Sequence, residues 1–348
     1  MTILFFILLL ICFVLLARVV DLFFIDSLDK ISTDLKLSSD AAGATLMAVG
    51  SSAPELFVAL FAVLKPGNHQ VIGVGSIVGS AIFNLMVIVG AAALVKEAKL
   101  TWKPMIRDLA FYVLTVAILV WFISDGSFNL TESFIFLGMY VLYVIAVVYW
   151  KRWFPYNDMI HTEEIIEARG EHNRSTKYID RFLSLVFPSK EKYYLVFIIS
   201  IVIIAALSYV LVESAIVIAH NLNIPESIIA LTILAAGTSV PDLFSSMIVA
   251  RQGRGDMAVS NAVGSNIFDI LVGLGLPFVI AMLIYGGEIQ SGGNLTFSSI
   301  ILFGSVILLI LLLLLRKWRL GKTVGIILLS FYVIYVGLEI YRIYGKPF

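Results

Sequence analysis

A chain of 348 residues that is 60% hydrophobic and only 14% charged, with a mean hydropathy of +1.00, carries more apolar surface than one water-soluble core can hide. Its formal net charge of zero gives no pull towards nucleic acid or another polyanion. A single cysteine, Cys12, lying inside an apolar run, excludes a disulfide framework and a cysteine metal site.

The composition is that of an all-α integral membrane protein, and the chain begins accordingly. In MTILFFILLLICFVLLA no basic residue precedes the apolar stretch and Arg18 follows it. That is the reverse of a secretory signal, so a retained helix entering from outside is expected. At about 20 apolar residues per crossing, ten spans are expected, at 2–24, 40–64, 71–95, 106–124, 131–150, 193–213, 226–250, 257–284, 296–315 and 323–342. The third and eighth contain Gly, Ser and Asn, which weakens their hydropathy.

Orientation follows from the basic residues in the connections. With the N-terminus outside, 21 of the 24 Lys and Arg fall on inner connections, and only Lys65, Arg342 and Lys346 fall outside. An N-out, C-out chain is therefore expected. The one sizeable polar stretch, 151–192, holds eight basic and seven acidic residues, and reads as a solvated cytoplasmic linker between two halves, 1–150 and 193–348.

The halves share a duplicated motif. Residues 43–55 read GATLMAVGSSAPE and residues 230–242 read ALTILAAGTSVPD, with Glu55 and Asp242 in register at an offset of 187. A second block, VGSIVGSAIFN at 74–84, returns as VSNAVGSNIFD at 259–269, at an offset of 185. Five spans separate the copies, and five is odd, so the second half is expected upside down relative to the first. An inverted repeat of two five-helix units, with an ionisable residue deep in each, marks the core of a transporter.

The residue types point to a cation. Proline lacks an N–H, so Pro54 and Pro241 free the carbonyls of Gly50 and Gly237. Such irregular backbone is tolerated at membrane depth only where it lines a cavity or is buried in protein. Ser51 with Glu55, Thr238 with Asp242, Ser80 with Asn84 and Ser265 with Asp269 are all i, i+4 pairs. Each of four helices thus offers a hydroxyl beside a carboxylate or amide. An all-oxygen set suits Ca2+, which takes about six to eight oxygens, or Na+, and not softer metals that want His or Cys. Close helix packing is the competing account for Ser52, Ser239, Gly79 and Gly264, and interhelical hydrogen bonding the competing account for Asn84. Two readings of Asp269 stand side by side: ionised, it adds a charge that a bound K+ balances; protonated, it is a hydrogen-bond donor.

GSSAPE with VGSIVGSAIFN, and GTSVPD with VGSNIFD, resemble the two alpha-repeats of the cation/calcium exchanger superfamily, the sodium/calcium exchangers. The alpha-1 motif would span 43–90 and alpha-2 230–277. The stretch from Leu234 to Ile270 looks most like the potassium-dependent branch. The resemblance implies an Na+/Ca2+ antiporter that carries K+ with Ca2+ in that branch, works without a cofactor, and sits in a cell membrane. It also implies that Glu55 and Asp242 coordinate Ca2+ and Na+, with hydroxyls from Ser51, Thr238, Ser80 and Ser265 and carbonyls from Ala48 and Ala235. Asn84 and Asp269 would face each other across the midplane, and spans one and six would form a sliding gate. The rival readings are a proton/calcium exchanger, a channel with the same oxygen-lined site, and an intramembrane protease suggested by Gly253, Gly255 and Asp256. The last of these lacks a second catalytic Asp.

Overall fold

A computed structural model of the chain describes residues 2–34, 48–67, 69–154, 177–189, 191–251, 253, 255–290 and 295–344. Among them nine helices are long and apolar enough to cross a membrane: α1 Thr2–Leu28, α3 Gln70–Val95, α4 Trp102–Ile123, α5 Leu130–Trp150, α6 Tyr193–Leu222, α7 Glu226–Arg251, α8 Met257–Tyr285, α9 Leu295–Leu315 and α10 Lys322–Arg342. A shorter apolar helix, α2 Ala53–Leu64, occupies the end of the second expected span, whose residues 40–47 lie outside the described residues. Large apolar side chains such as Ile3, Trp121, Leu283, Leu315 and Val333 stand out of the bundle, as they would against lipid.

Two helices outrun their expected bounds. α1 continues through a π turn at Val20–Phe24 into Ile25–Asp34, where Ile25, Leu28 and Ile31 keep a buried face after the apolar run has ended. α6 extends to Leu222 and stops where Asn223 takes a left-handed conformation, a frequent helix terminator.

The two helices that carry the Gly, Ser and Asn of the second repeated block are the most enclosed. α3 is 83% buried along its apolar window and α8 72%, against 28% for α1. Gly, Ser and Asn are affordable there because protein, not lipid, surrounds them. The packing pairs come in matched sets. α1 lies on α6, and α4 on α9. α2 meets α6 as α7 meets α1; α3 meets α10 as α8 meets α5; α3 meets α9 as α8 meets α4; α3 meets α7 as α8 meets α2. Short antiparallel ribbons join Ala98–Lys99 to Arg319–Leu320 and Ser127–Phe128 to Ile289–Gln290, at opposite ends of α4.

The linker is structured where it is described. Lys177–Val186 forms a helix held to α1 by a two-pronged ion pair, with Arg18 Nε donating to Asp180 Oδ1 at 2.7 Å and the other guanidinium arm to Oδ2 at 2.9 Å. Phe23 and Phe187 stack beside it at 3.8 Å between centroids. With both partners only 11% exposed, Arg18→Ala is expected to cost about 1–3 kcal/mol by removing the two-pronged ion pair from a largely buried carboxylate. The paired Arg18→Ala/Asp180→Ala variant should recover part of that loss in melting temperature, and strict additivity would show that the pair is not coupled.

Candidate cation site

The two copies of the proline motif fold differently. In the first, Ala48–Ser51 is a single helical turn, Ser52 leaves helical geometry (φ −100°, ψ 8°), and α2 then restarts with Pro54 in its first turn. In the second, a π turn at Ala230–Leu234 leads into Ala235–Arg251, which passes through Pro241 unbroken. Neighbouring helices, hydroxyls and local π geometry let a membrane helix absorb a proline.

These elements bring the predicted side chains to one place. Glu55 is 4% exposed, and its carboxylate lies beside Asp242 and within hydrogen-bonding reach of the Thr238 hydroxyl. That hydroxyl also reaches the Leu234 carbonyl at 3.1 Å and the Ala235 carbonyl at 3.4 Å, and its one proton serves one acceptor at a time. Asp269, on α8, lies within electrostatic reach of Glu55 and Asp242 and within reach of the Ser52 hydroxyl. The hydroxyls of Ser51 and Ser265 are 3.3 Å apart, and those of Ser80 and Ser239 2.8 Å apart. Asn84, at the start of a π turn in α3, bonds across to Asn266. Ala48 begins the short first helix, and the side chain of Asp256 lies outside the described residues.

Three buried acceptors in this cluster have no hydrogen-bond partner among the described residues: Glu55 Oε2, Asn84 Oδ1 and Asp269 Oδ1. Leaving a buried polar atom unpaired costs about 1–3 kcal/mol, and each of these three is an oxygen with a lone pair to give. No three His, Cys, Asp or Glu side chains converge as a metal cluster among the described residues. Cation chemistry here therefore rests on spaced carboxylates with hydroxyls, an amide and carbonyls between them, a hard, all-oxygen environment.

A pocket leads to the cluster between α1 and the two motifs. Phe13, Ala17 and Asp21 form one wall, and Ser51, Pro54, Thr238 and Asp242 the other. The Phe13 ring rests directly on Gly237, where an added Cβ would come within 2.1 Å of it. Sequence reasoning passed over Asp21, although the rule that singles out Glu55, a carboxylate in an apolar run, applies equally to RVVDLFF. It also passed over Asn266, which has no counterpart in the first copy, where Ala81 stands in register.

Comparison with known proteins finds relatives over most of the chain. The profile of the sodium/calcium exchanger protein family matches residues 5–149 and 192–341, leaving out the linker. Human sodium/potassium/calcium exchanger 5 is 31% identical, over 95% of this chain and 81% of its own. Mouse sodium/potassium/calcium exchanger 4 is 29% identical, over 93% of this chain and 79% of its own. Among solved structures, the sodium-calcium exchanger NCX_Mj soaked with Na+ and Sr2+ superposes with a TM-score of 0.61 at 24% identity, covering 97% of this chain and 99% of that one. This chain belongs to the sodium/calcium exchanger family, as a multi-pass integral membrane transporter and not an enzyme.

Proposed function

We infer that the protein is a secondary antiporter of the cell membrane that exchanges Na+ for Ca2+ at one all-oxygen site near the bilayer midplane. The observation that carries this is the set of three unpartnered buried oxygens, on Glu55, Asn84 and Asp269, gathered from α2, α3 and α8. Asp242 on α7 supplies the second opposed carboxylate. Ser51, Ser80, Thr238 and Ser265, with the carbonyls of Ala48 and Ala235, complete the shell. Two carboxylates can balance one Ca2+ or an equivalent charge of Na+, so the ions compete for one cluster, and competition for a shared site that faces one side at a time is exchange. The reading requires no cofactor and no obligatory protein partner.

The architecture under this proposal is ten spans in two inverted repeats, 1–150 and 193–348, with the termini outside and the linker 151–192 inside. The matched packing pairs support it. The ribbons agree with the count of ten spans: the connection after α3 meets the one after α9, and the connection after α4 meets the one after α8, as a chain of ten spans requires in either orientation. Lys96, Lys99, Lys103, Arg316, Lys317, Arg319 and Lys322 all gather at the end of the first ribbon. α1 and α6, packed on each other, would slide as the gate. Moving bare carboxylates past Phe13 and its apolar neighbours is costly, so the gate crosses only with the cluster neutralised.

K+ enters through Asp269. If it is ionised, a bound K+ balances its charge, as the names of the sodium/potassium/calcium exchangers similar to this chain suggest. Proteoliposomes loaded with Na+ and diluted into Na+-free buffer should then accumulate radioactive calcium faster with K+ on both sides. Asp269→Asn should remove the K+ response while keeping Na+-driven uptake. An unchanged K+ response in that variant would place the ion elsewhere, and uptake driven by a pH gradient but indifferent to Na+ would replace Na+/Ca2+ exchange with proton/calcium exchange.

A further inference from the structure

Asn266 of α8 is completely buried, and its amide makes three bonds of defined polarity. Nδ2 donates to the Ala81 carbonyl at 3.0 Å and to the Tyr112 hydroxyl of α4 at 2.8 Å; Oδ1 accepts from Asn84 Nδ2 at 2.9 Å. The network itself decides which way each amide points. A backbone carbonyl can only accept, so the nitrogen of Asn266 must face Ala81. Its oxygen must then face Asn84, and Asn84 must answer with its own nitrogen. The remaining atom, Asn84 Oδ1, is thereby turned away from this chain of bonds and left buried without a donor among the described residues.

Had Asn84 been flipped, its N–H groups would stand where the unpartnered oxygen now lies and would repel a cation. The duplicated motif cannot by itself prevent this, because an amide is nearly symmetric in shape. What breaks the symmetry is Asn266, in register with Ala81 of the first copy, together with Tyr112, which lies outside both motifs. We propose that Asn266 and Tyr112 are positioning residues that lock the Asn84 amide with its oxygen towards the transported cation. The proposal rests on the reading of Asn84 as part of the cation site. Asn266 orients a ligand without touching the ion, much as outer partners orient metal-bound side chains, and losing such a partner typically weakens binding about 10- to 100-fold.

The test is initial-rate Ca2+ uptake by Na+-loaded proteoliposomes as a function of external Ca2+, with the melting temperature of each variant measured in parallel. Asn266→Ala should raise the KM for Ca2+ on the order of 10-fold while leaving the maximal rate within about twofold. Tyr112→Phe removes one of the two acceptors and should raise KM less. Asn84→Asp carries an oxygen on both arms and has nothing to lock, so adding Asn266→Ala in that background should change KM by under about twofold. An undiminished Asn266→Ala effect there, or an effect on melting temperature alone, would overturn the lock. Asn84→Ala separates the two levels of the claim. A raised KM in Asn84→Ala with wild-type behaviour in Asn266→Ala overturns the lock and keeps the ligand; an unchanged KM in Asn84→Ala removes Asn84 from the site and the lock with it.

Discussion

Glu55→Gln and Asp242→Asn are each expected to reduce Na+-driven Ca2+ uptake to the level of protein-free vesicles, with the protein still inserted and folded. Both changes keep shape and volume and remove only the charge. If Glu55 were a neutral structural carboxyl serving as a hydrogen-bond partner, Gln would replace it with little penalty. As a ligand to a divalent cation its loss is severe, because half of the countercharge goes and an amide N–H is turned towards the ion. Thr238, within reach of the Glu55 carboxylate, would also lose an anionic neighbour in Glu55→Gln. Uptake near the wild-type rate in both single variants would remove these residues from the ion path. Melting temperatures close to wild type are part of the expectation, since deleting mutual repulsion between buried carboxylates offsets lost hydrogen bonds.

Gly79→Ala should be as damaging as the charge changes, by a different route, and Gly264→Ala should not. Both glycines occupy the same place in the duplicated VGS element. At Gly79 an added Cβ would lie 2.4 Å from the Leu231 carbonyl oxygen and 2.7 Å from Ala235 Cβ, where α3 and the π turn of α7 touch through their backbones. Backbone cannot swing aside as a side chain does. The methyl group must push apart the helices that carry Ser80 and Asn84 on one side and Thr238 and Asp242 on the other. An overpacked core of this kind typically loses about 1–3 kcal/mol, and the ligands move with it. At Gly264 the nearest atom is the Tyr143 hydroxyl at 3.9 Å, ordinary contact distance. There a helix interior gains up to about 1 kcal/mol from Ala over Gly. Melting temperature and uptake rate together check this, and equal losses in the two variants would refute the account of why the copies differ.

That contrast shows how far residue patterns reach. The apolar runs locate the described membrane helices to within a few residues, apart from the ends of α1 and α6, because a lipid-facing helix must be apolar over its whole length. The paired motifs are equally plain, since a Pro beside a carboxylate in an apolar run has few cheap explanations. Gly79 and Gly264 read alike and differ only in what stands opposite. Ser52 and Ser239 read as packing residues, yet Ser239 hydrogen-bonds Ser80 and Ser52 lies within reach of Asp269. Nothing local in the sequence says which partner a buried hydroxyl meets. Asn266 is harder still, because its partners come from α3 and α4, far away in the chain. The docked linker helix was hidden by its own mixed charges, which look the same whether they meet solvent or, as Asp180 does, Arg18 of α1.

One shared site for both ions is tested most directly by Ca2+ binding to the purified protein, measured by calorimetry at a series of Na+ concentrations with osmolarity and ionic strength held constant by choline. The account predicts that Na+ raises the apparent Kd for Ca2+ progressively while the number of bound Ca2+ per chain stays fixed, and that Glu55→Gln abolishes binding. Ca2+ binding that is indifferent to Na+, or that survives in Glu55→Gln, would contradict a single cluster serving both ions.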